Sequence, residues 1–315
     1  MSFWTRGIRS PAMGAAALLT GMSLWLCACS AESFRDYEKS GAVDLTPSFR
    51  RLTILSTGPA NAVPENGFDG CAAERCVIGI HGFMYDPTDQ GYYNPYFTAF
   101  HQWSKFIPNS QFTAIGWDSV TLSLPSLLDA WGSGEIGWYQ LASARADKVA
   151  KRLAPYLERS RKPLTFVCHS LGCVVTLKSI ALASRHSVTK VVMLNAAVTE
   201  RVFAGLSAKL KRIRLVNVYV RDDGILKLAG ILDEADPLAM LGKKPLAVPP
   251  AAAGRWSSVE VCPQPVGSTV GTDLNNPNRL LNHLYAFEGP GMARLMRKTI
   301  RSASKAEDPQ CGILN

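Results

Sequence analysis

Leu164-Thr165-Phe166-Val167-Cys168-His169-Ser170-Leu171-Gly172-Cys173 runs from an apolar, strand-like segment into a turn, and an apolar helical pattern (Val174, Val175, Leu177) follows. This is the G-x-S-x-G nucleophile-elbow pattern with Cys168 in place of the first glycine. At such an elbow the chain passes sharply from strand to helix, so the positions two before and two after the serine must be small. Cysteine is small enough for the first, and Gly172 fills the second. The turn lifts Ser170 Oγ off the sheet and aims the start of the next helix at whatever reacts there.

Working outward, short apolar runs alternate with helical patterns. Leu52–Ser56, Cys76–Ile80, Phe112–Trp117, Leu164–Cys168, Lys190–Leu194, Arg214–Val220 and Ser257–Cys262 read as strands. Cys76-Val-Ile-Gly-Ile80 is continuously apolar, as a strand buried on both faces of a parallel sheet requires. Helical periodicity runs through Leu141, Ala142, Ala146, Val149, Leu153 and Leu157, and helices are expected over 97–106, 139–159 and 171–183. Alternation of this kind predicts an α/β fold: βαβ units and a mostly parallel sheet with helices on both faces. The stretches 119–138 and 225–255 interrupt it as possible lids.

An activated serine needs a base within reach and a carboxylate to orient that base. For a serine on such an elbow the partners follow in the order Asp or Glu, then His. Of five histidines, His81 and His169 sit inside motifs, His101 precedes the serine, and His186 ends the elbow helix. His283 alone lies far downstream, past the last strand, and is the expected base. His169 adjoins the nucleophile but points away from it at an elbow, as a packing residue. The acid is expected just past the strand preceding that region, in Val220-Arg-Asp-Asp-Gly224. Asp223 is favoured and Asp222 is the alternative. The oxyanion hole needs two backbone N–H groups. Leu171, after the nucleophile, supplies one, and Phe83, in the loop after the His81-Gly82 strand, the other.

The N-terminus stands outside this pattern. Arg6 and Arg9 precede an uncharged, apolar stretch from Pro11 to Ala28, the anatomy of a secretory signal. Leu26-Cys-Ala-Cys29-Ser30 resembles a bacterial lipobox with Cys29 as the lipidated residue. The expected organisation is a signal over 1–28, a tether over 29–50 and one domain over 51–315. The expected location is the cell envelope as a lipoprotein, with simple secretion as second choice. Loss of 1–28 leaves six cysteines besides Cys29. Disulfides persist in an oxidising compartment, so Cys71–Cys76 and Cys262–Cys311 are candidate bridges. Cys168 and Cys173 flank the nucleophile, either as a bridge or as two small core residues. Scattered histidines and unpaired cysteine spacing offer no metal site, and no cofactor is expected. The chain carries 34 basic against 25 acidic residues, about +7 after loss of Arg6 and Arg9. Basic stretches at 209–214 and 294–305 read as solvated helix faces. Anionic lipid or polymer is a secondary partner, and nucleic acid is not expected.

Ile80-His-Gly-Phe83, Ile115-Gly-Trp-Asp-Ser119, the Ala-rich helix from Tyr139, and Cys168-His-Ser-Leu-Gly172, in that order, resemble the alpha/beta-hydrolase superfamily, and within it a bacterial serine-hydrolase group. That group usually carries Trp-Pro-Ser where this chain has Trp117-Asp118-Ser119. The resemblance covers about residues 50–300. It implies esterase- or lipase-type chemistry through an acyl-enzyme on Ser170, acting on a small or lipid-like ester. Acyl transfer on the same triad and a non-catalytic envelope binding module are the alternatives. Trp131, Trp138, Tyr92, Tyr93 and Tyr96 are candidates for an acyl pocket.

Overall fold

The runs rich in Val, Ile, Leu and Phe are buried almost without interruption, which only a sheet covered on both faces allows. In the computed structural model they form seven parallel strands: β1 (Phe49–Thr53), β2 (Arg75–Ile80), β3 (Ser110–Gly116), β4 (Leu164–His169), β5 (Val188–Leu194), β6 (Arg214–Tyr219) and β7 (Trp256–Glu260). Helices are α1 (Trp138–Arg159), α2 (Gly172–Leu182), α3 (Glu200–Leu210), α4 (Gly224–Glu234) and α5 (Met292–Arg301). The structure describes residues 49–57, 63–71, 73–83, 100, 104, 107, 109–119, 138–234, 236, 238–261 and 292–301.

The strand order is β1-β3-β2-β4-β5-β6-β7. From β3 onward each crossover runs toward β7, so right-handed connections put α1 to α4 on one face. The step from β2 back to β3 runs the other way and puts its helical segment on the opposite face, where Phe100 lies over Gly79 of β2. α5 packs against β5. Because every strand is parallel, all seven C-terminal ends share one edge, and a site there is built from the loops that follow them.

Expected and observed strands agree closely, with one shift. The first strand begins at Phe49 and ends at Thr53, not at Ser56. The ladder stops because Asp118, after β3, accepts from both the backbone N–H of Ser56 (2.6 Å) and its hydroxyl (2.5 Å). Asp118 therefore has work that the proline of the related turn cannot do. The expected helix at 97–106 lies almost wholly outside the described residues, as does 119–138. The stretch 225–255 carries α4 and two 3-10 turns (Leu241–Lys243, Pro250–Ala252). Leu226, Ala229, Met240, Leu241, Leu246 and Ala252 sit in the core. Gly242 packs so closely on the exit of β5 that a Cβ would fall 2.4 Å from the Asn195 carbonyl carbon.

Candidate active site

Ser170 leaves β4 at φ +51°, left-handed backbone that a non-glycine residue adopts only where its surroundings impose it. The surroundings are visible. Its N–H donates to Leu194 O (3.0 Å), and its carbonyl accepts from Cys173 N (3.0 Å) and Ala197 N (3.2 Å), so the elbow is pinned by the exit of β5. Gly172 is required by space: a Cβ there would lie 2.3 Å from His81 O and 2.7 Å from Ile80 O. Cys168 and Cys173 are bridged across the turn, with Cα atoms 4.9 Å apart, and Cys71 is bridged to Cys76. Leu171 takes the N-cap position of α2, and no side chain caps it.

The loop after β2 lies directly against the elbow. A Cβ on Gly82 would sit 2.7 Å from Ser170 Cβ and 3.1 Å from His169 Nδ1. His81, which opens this loop, is wholly buried, and burial lowers its pKa to about 3. The ring is neutral at ordinary pH. Its Nε2 accepts from Trp117 N (3.0 Å), which leaves the proton on Nδ1 to donate to Gly82 O (2.7 Å). Trp117 Nε1 donates back to His81 O (2.9 Å), and the two rings stack at 5.7 Å. With Gly82 O held against the imidazole, the trans peptide turns the Phe83 N–H to the opposite side. Phe83 itself is half-buried beside the core.

Asp223 and Asp222 are separated sharply by burial. Asp222 is exposed in the turn after β6, whereas Asp223 is 0% exposed. Asp223 Oδ1 accepts from Leu226 N (2.9 Å), capping α4, and Oδ2 accepts from Asn195 Nδ2 (2.9 Å). Lys243 Nζ, buried behind the turn, donates to Arg221 O (2.8 Å) and Asp223 O (3.3 Å). Asn195, at φ +41° and wholly buried, follows β5 directly. Its N–H donates to Val218 O (3.0 Å). Ser170, Asn195 and Asp223 thus ride the ends of three adjacent strands, β4, β5 and β6.

Asn195 and Lys243 did not emerge from the sequence, and Trp117 emerged only as part of the Ile115–Ser119 motif, without its role beside His81. The signal available was faint: a small polar residue ending the apolar run Val191–Leu194, at the edge where sites form in parallel sheets. His169 is wholly buried. His283, Cys29, Cys262, Cys311, Trp131, Tyr92, Tyr93 and Tyr96 lie outside the described residues, as does the Trp138 side chain. Among the described residues, no cluster of His, Cys, Asp and Glu could hold a metal, and no helix is long and apolar enough to cross a membrane.

Residues 134–217 match the family model described as serine hydrolase. The matched segment runs from just before α1 into β6. It includes the elbow and Asn195, and leaves out the His81–Phe83 loop, Asp223 and His283. No curated protein sequence matches the chain. The match supports a hydrolase.

Proposed function

We propose that this chain, which the matched segment and the all-parallel sheet fit to an alpha/beta-hydrolase-type serine hydrolase, cleaves carboxylic esters through an acyl-enzyme on Ser170. The observation that carries the reading is the strained Ser170 at the end of β4, with a buried carboxylate, Asp223, two strands away at the same edge. A non-glycine residue held at positive φ costs about 1–3 kcal/mol and persists only where the surrounding structure over-determines it, as at catalytic turns.

In this reading His283 takes the Ser170 proton as Oγ attacks the ester carbonyl carbon, and the carbonyl π electrons move to oxygen. The oxyanion lies against the N–H groups of Leu171 and Phe83. The intermediate collapses with loss of the alcohol, which takes the proton back from His283. Water, deprotonated by the same histidine, then attacks the acyl carbon, and the acid leaves as the bond to Ser170 Oγ breaks and Oγ takes the proton back from His283. Asp223 orients His283 and stabilises its charged form. Asn195 Nδ2 holds Asp223 in place, and the His81–Trp117 pair holds the oxyanion loop. Catalysis of this kind needs no metal.

We also infer a cell-envelope location with a lipid anchor at Cys29. Two bridged cysteine pairs support an oxidising compartment. A fluorophosphonate probe and a series of p-nitrophenyl esters of rising acyl length test the activity. The expected result is labelling at Ser170 and ester turnover, both abolished in Ser170→Ala. Absence of labelling, with Ser170→Ala indistinguishable from wild type on every ester, would overturn the reading.

A further inference from the structure

The opposite edge of the sheet, where the strands begin, is built quite differently. Arg75 opens β2, Lys190 lies near the start of β5, Arg214 opens β6, and Arg255 immediately precedes β7. With Arg212 and one acid, Glu74, they line a cavity of about 500 Å³ closed on one side by the end of α5. Among the described residues, its lining sets five cationic side chains against one carboxylate. β4 alone spans about 16–17 Å from its first residue to its last, so this cavity is far from Ser170.

Three features make it a site and not merely a charged edge. Lys190 is buried, 8% exposed, and its Nζ is fixed by the carbonyls of Thr299 (2.7 Å) and Ile300 (2.9 Å) at the end of α5. Burial lowers its pKa to about 8, and the neighbouring Arg214 and Arg75 push it the same way. Those cations therefore raise one another's energy, and an anion between them relieves the repulsion. Arg255 Nη1 is already held by Lys211 O and Ala251 O (both 3.2 Å), which leaves the rest of its planar donor set oriented without further loss of entropy.

We propose that this cavity binds a phosphate-bearing anion. Arginine forks match the geometry of phosphate oxygens, and a doubly charged group answers several cations at once. The cavity volume suits a phosphomonoester or a glycerophosphate headgroup. The phosphate has two possible sources, a soluble ester or the headgroup of an anionic lipid. β1 is parallel to the other strands and begins at Phe49, so the chain enters the sheet at this same edge. Only the lipid source rests on the proposed anchor at Cys29.

The full chain in neutral detergent micelles is measured by thermal unfolding at constant ionic strength. One arm adds inorganic phosphate or glycerol phosphate. The other dopes the micelles with phosphatidylglycerol, with phosphatidylcholine as control. Ligand at a hundredfold over Kd raises Tm by about 5–11 °C. The rise disappears in an Arg212→Glu/Arg255→Glu variant, whose Ser170 labelling by fluorophosphonate is unchanged. A rise in the first arm identifies a soluble phosphate, and a rise in the second alone identifies a lipid headgroup. Should the double variant fail to fold, the single Arg75→Gln variant is read in its place. No rise in either arm, or an equal rise in wild type and variant, overturns the proposal.

Discussion

Ser170 at φ +51° and Asn195 at φ +41° are two strained residues at neighbouring strand ends, and the backbone bonds around them show what holds the strain. Ser170 N is committed to Leu194 O and Asn195 N to Val218 O, so each turn is fixed by the strand beside it. The adjacent aspartates show how far residue types alone carry an argument. Asp222 and Asp223 are chemically identical and one position apart, yet one is exposed and the other is wholly buried against Asn195 and Leu226. The proposed mechanism therefore assigns opposite outcomes to them. Asp223→Asn keeps an acceptor for Leu226 N but not the negative charge, and lowers kcat on p-nitrophenyl esters by about 10²–10⁴-fold. Asp222→Asn leaves kcat within about twofold. Equal effects from the two substitutions would remove Asp223 from the triad.

The elbow, as an element, is a strand, one strained residue and a helix stapled together. Cys168 is the last residue but one of β4 and Cys173 is the second residue of α2, and their bridge spans the nucleophile. Closing so short a loop limits the unfolded chain by about 2 kcal/mol in the loop-entropy account. The Cys168→Ser/Cys173→Ser variant is accordingly expected to unfold about 4–8 °C below wild type. Differential scanning calorimetry reads the change, and an unaltered Tm would show that the bridge contributes nothing. Legibility differed between elements for physical reasons. Strands buried on both faces are continuous apolar runs, and six of the seven were placed within two residues at each end. α3 and α4 were missed because their helical pattern is blurred. α3 buries only Phe203 and Leu210 along eleven residues. α4 is apolar on more than one side and lay inside a stretch read as an excursion. The Lys209–Arg214 stretch, read as a helix face, is divided by a turn, with Lys209 near the end of α3 and Arg214 opening β6.

For the whole molecule, two buried bases at opposite edges of the sheet bias stability toward alkaline pH in separate windows. His81 has an ordinary pKa of 6.5 and a folded value of about 3. Above 6.5 it is neutral in both states and contributes no slope. Between 6.5 and about 3 the unfolded chain gains a proton that the folded chain refuses, so stability falls as pH falls. Lys190, at 10.5 ordinarily and about 8 when folded, acts likewise: between 8 and 10.5 only the unfolded chain stays protonated, so stability rises with pH. Each contributes a slope of at most about 1.4 kcal/mol per pH unit. Urea unfolding across pH is expected to lose the acid slope in His81→Asn and the alkaline slope in Lys190→Met. Unchanged slopes would mean that neither group is desolvated as its position implies.

The sequence by itself determined the α/β class, the order of the strands along the chain and the elbow around Ser170. Each depends on local pattern: the period of apolar residues, the small positions flanking one serine, and the right-handed rule that turns alternation into a parallel sheet. Only the tertiary structure decided which aspartate is buried, that Cys168 meets Cys173, that Asn195 holds Asp223, and that a neutral His81 fixes the Gly82 carbonyl. It also gathered five cations, from four separate segments of the chain, around one cavity at the strands' starting edge. These are contacts between strand ends and loops far apart in the chain, and they exist only once the strands have paired in the order β1-β3-β2-β4-β5-β6-β7.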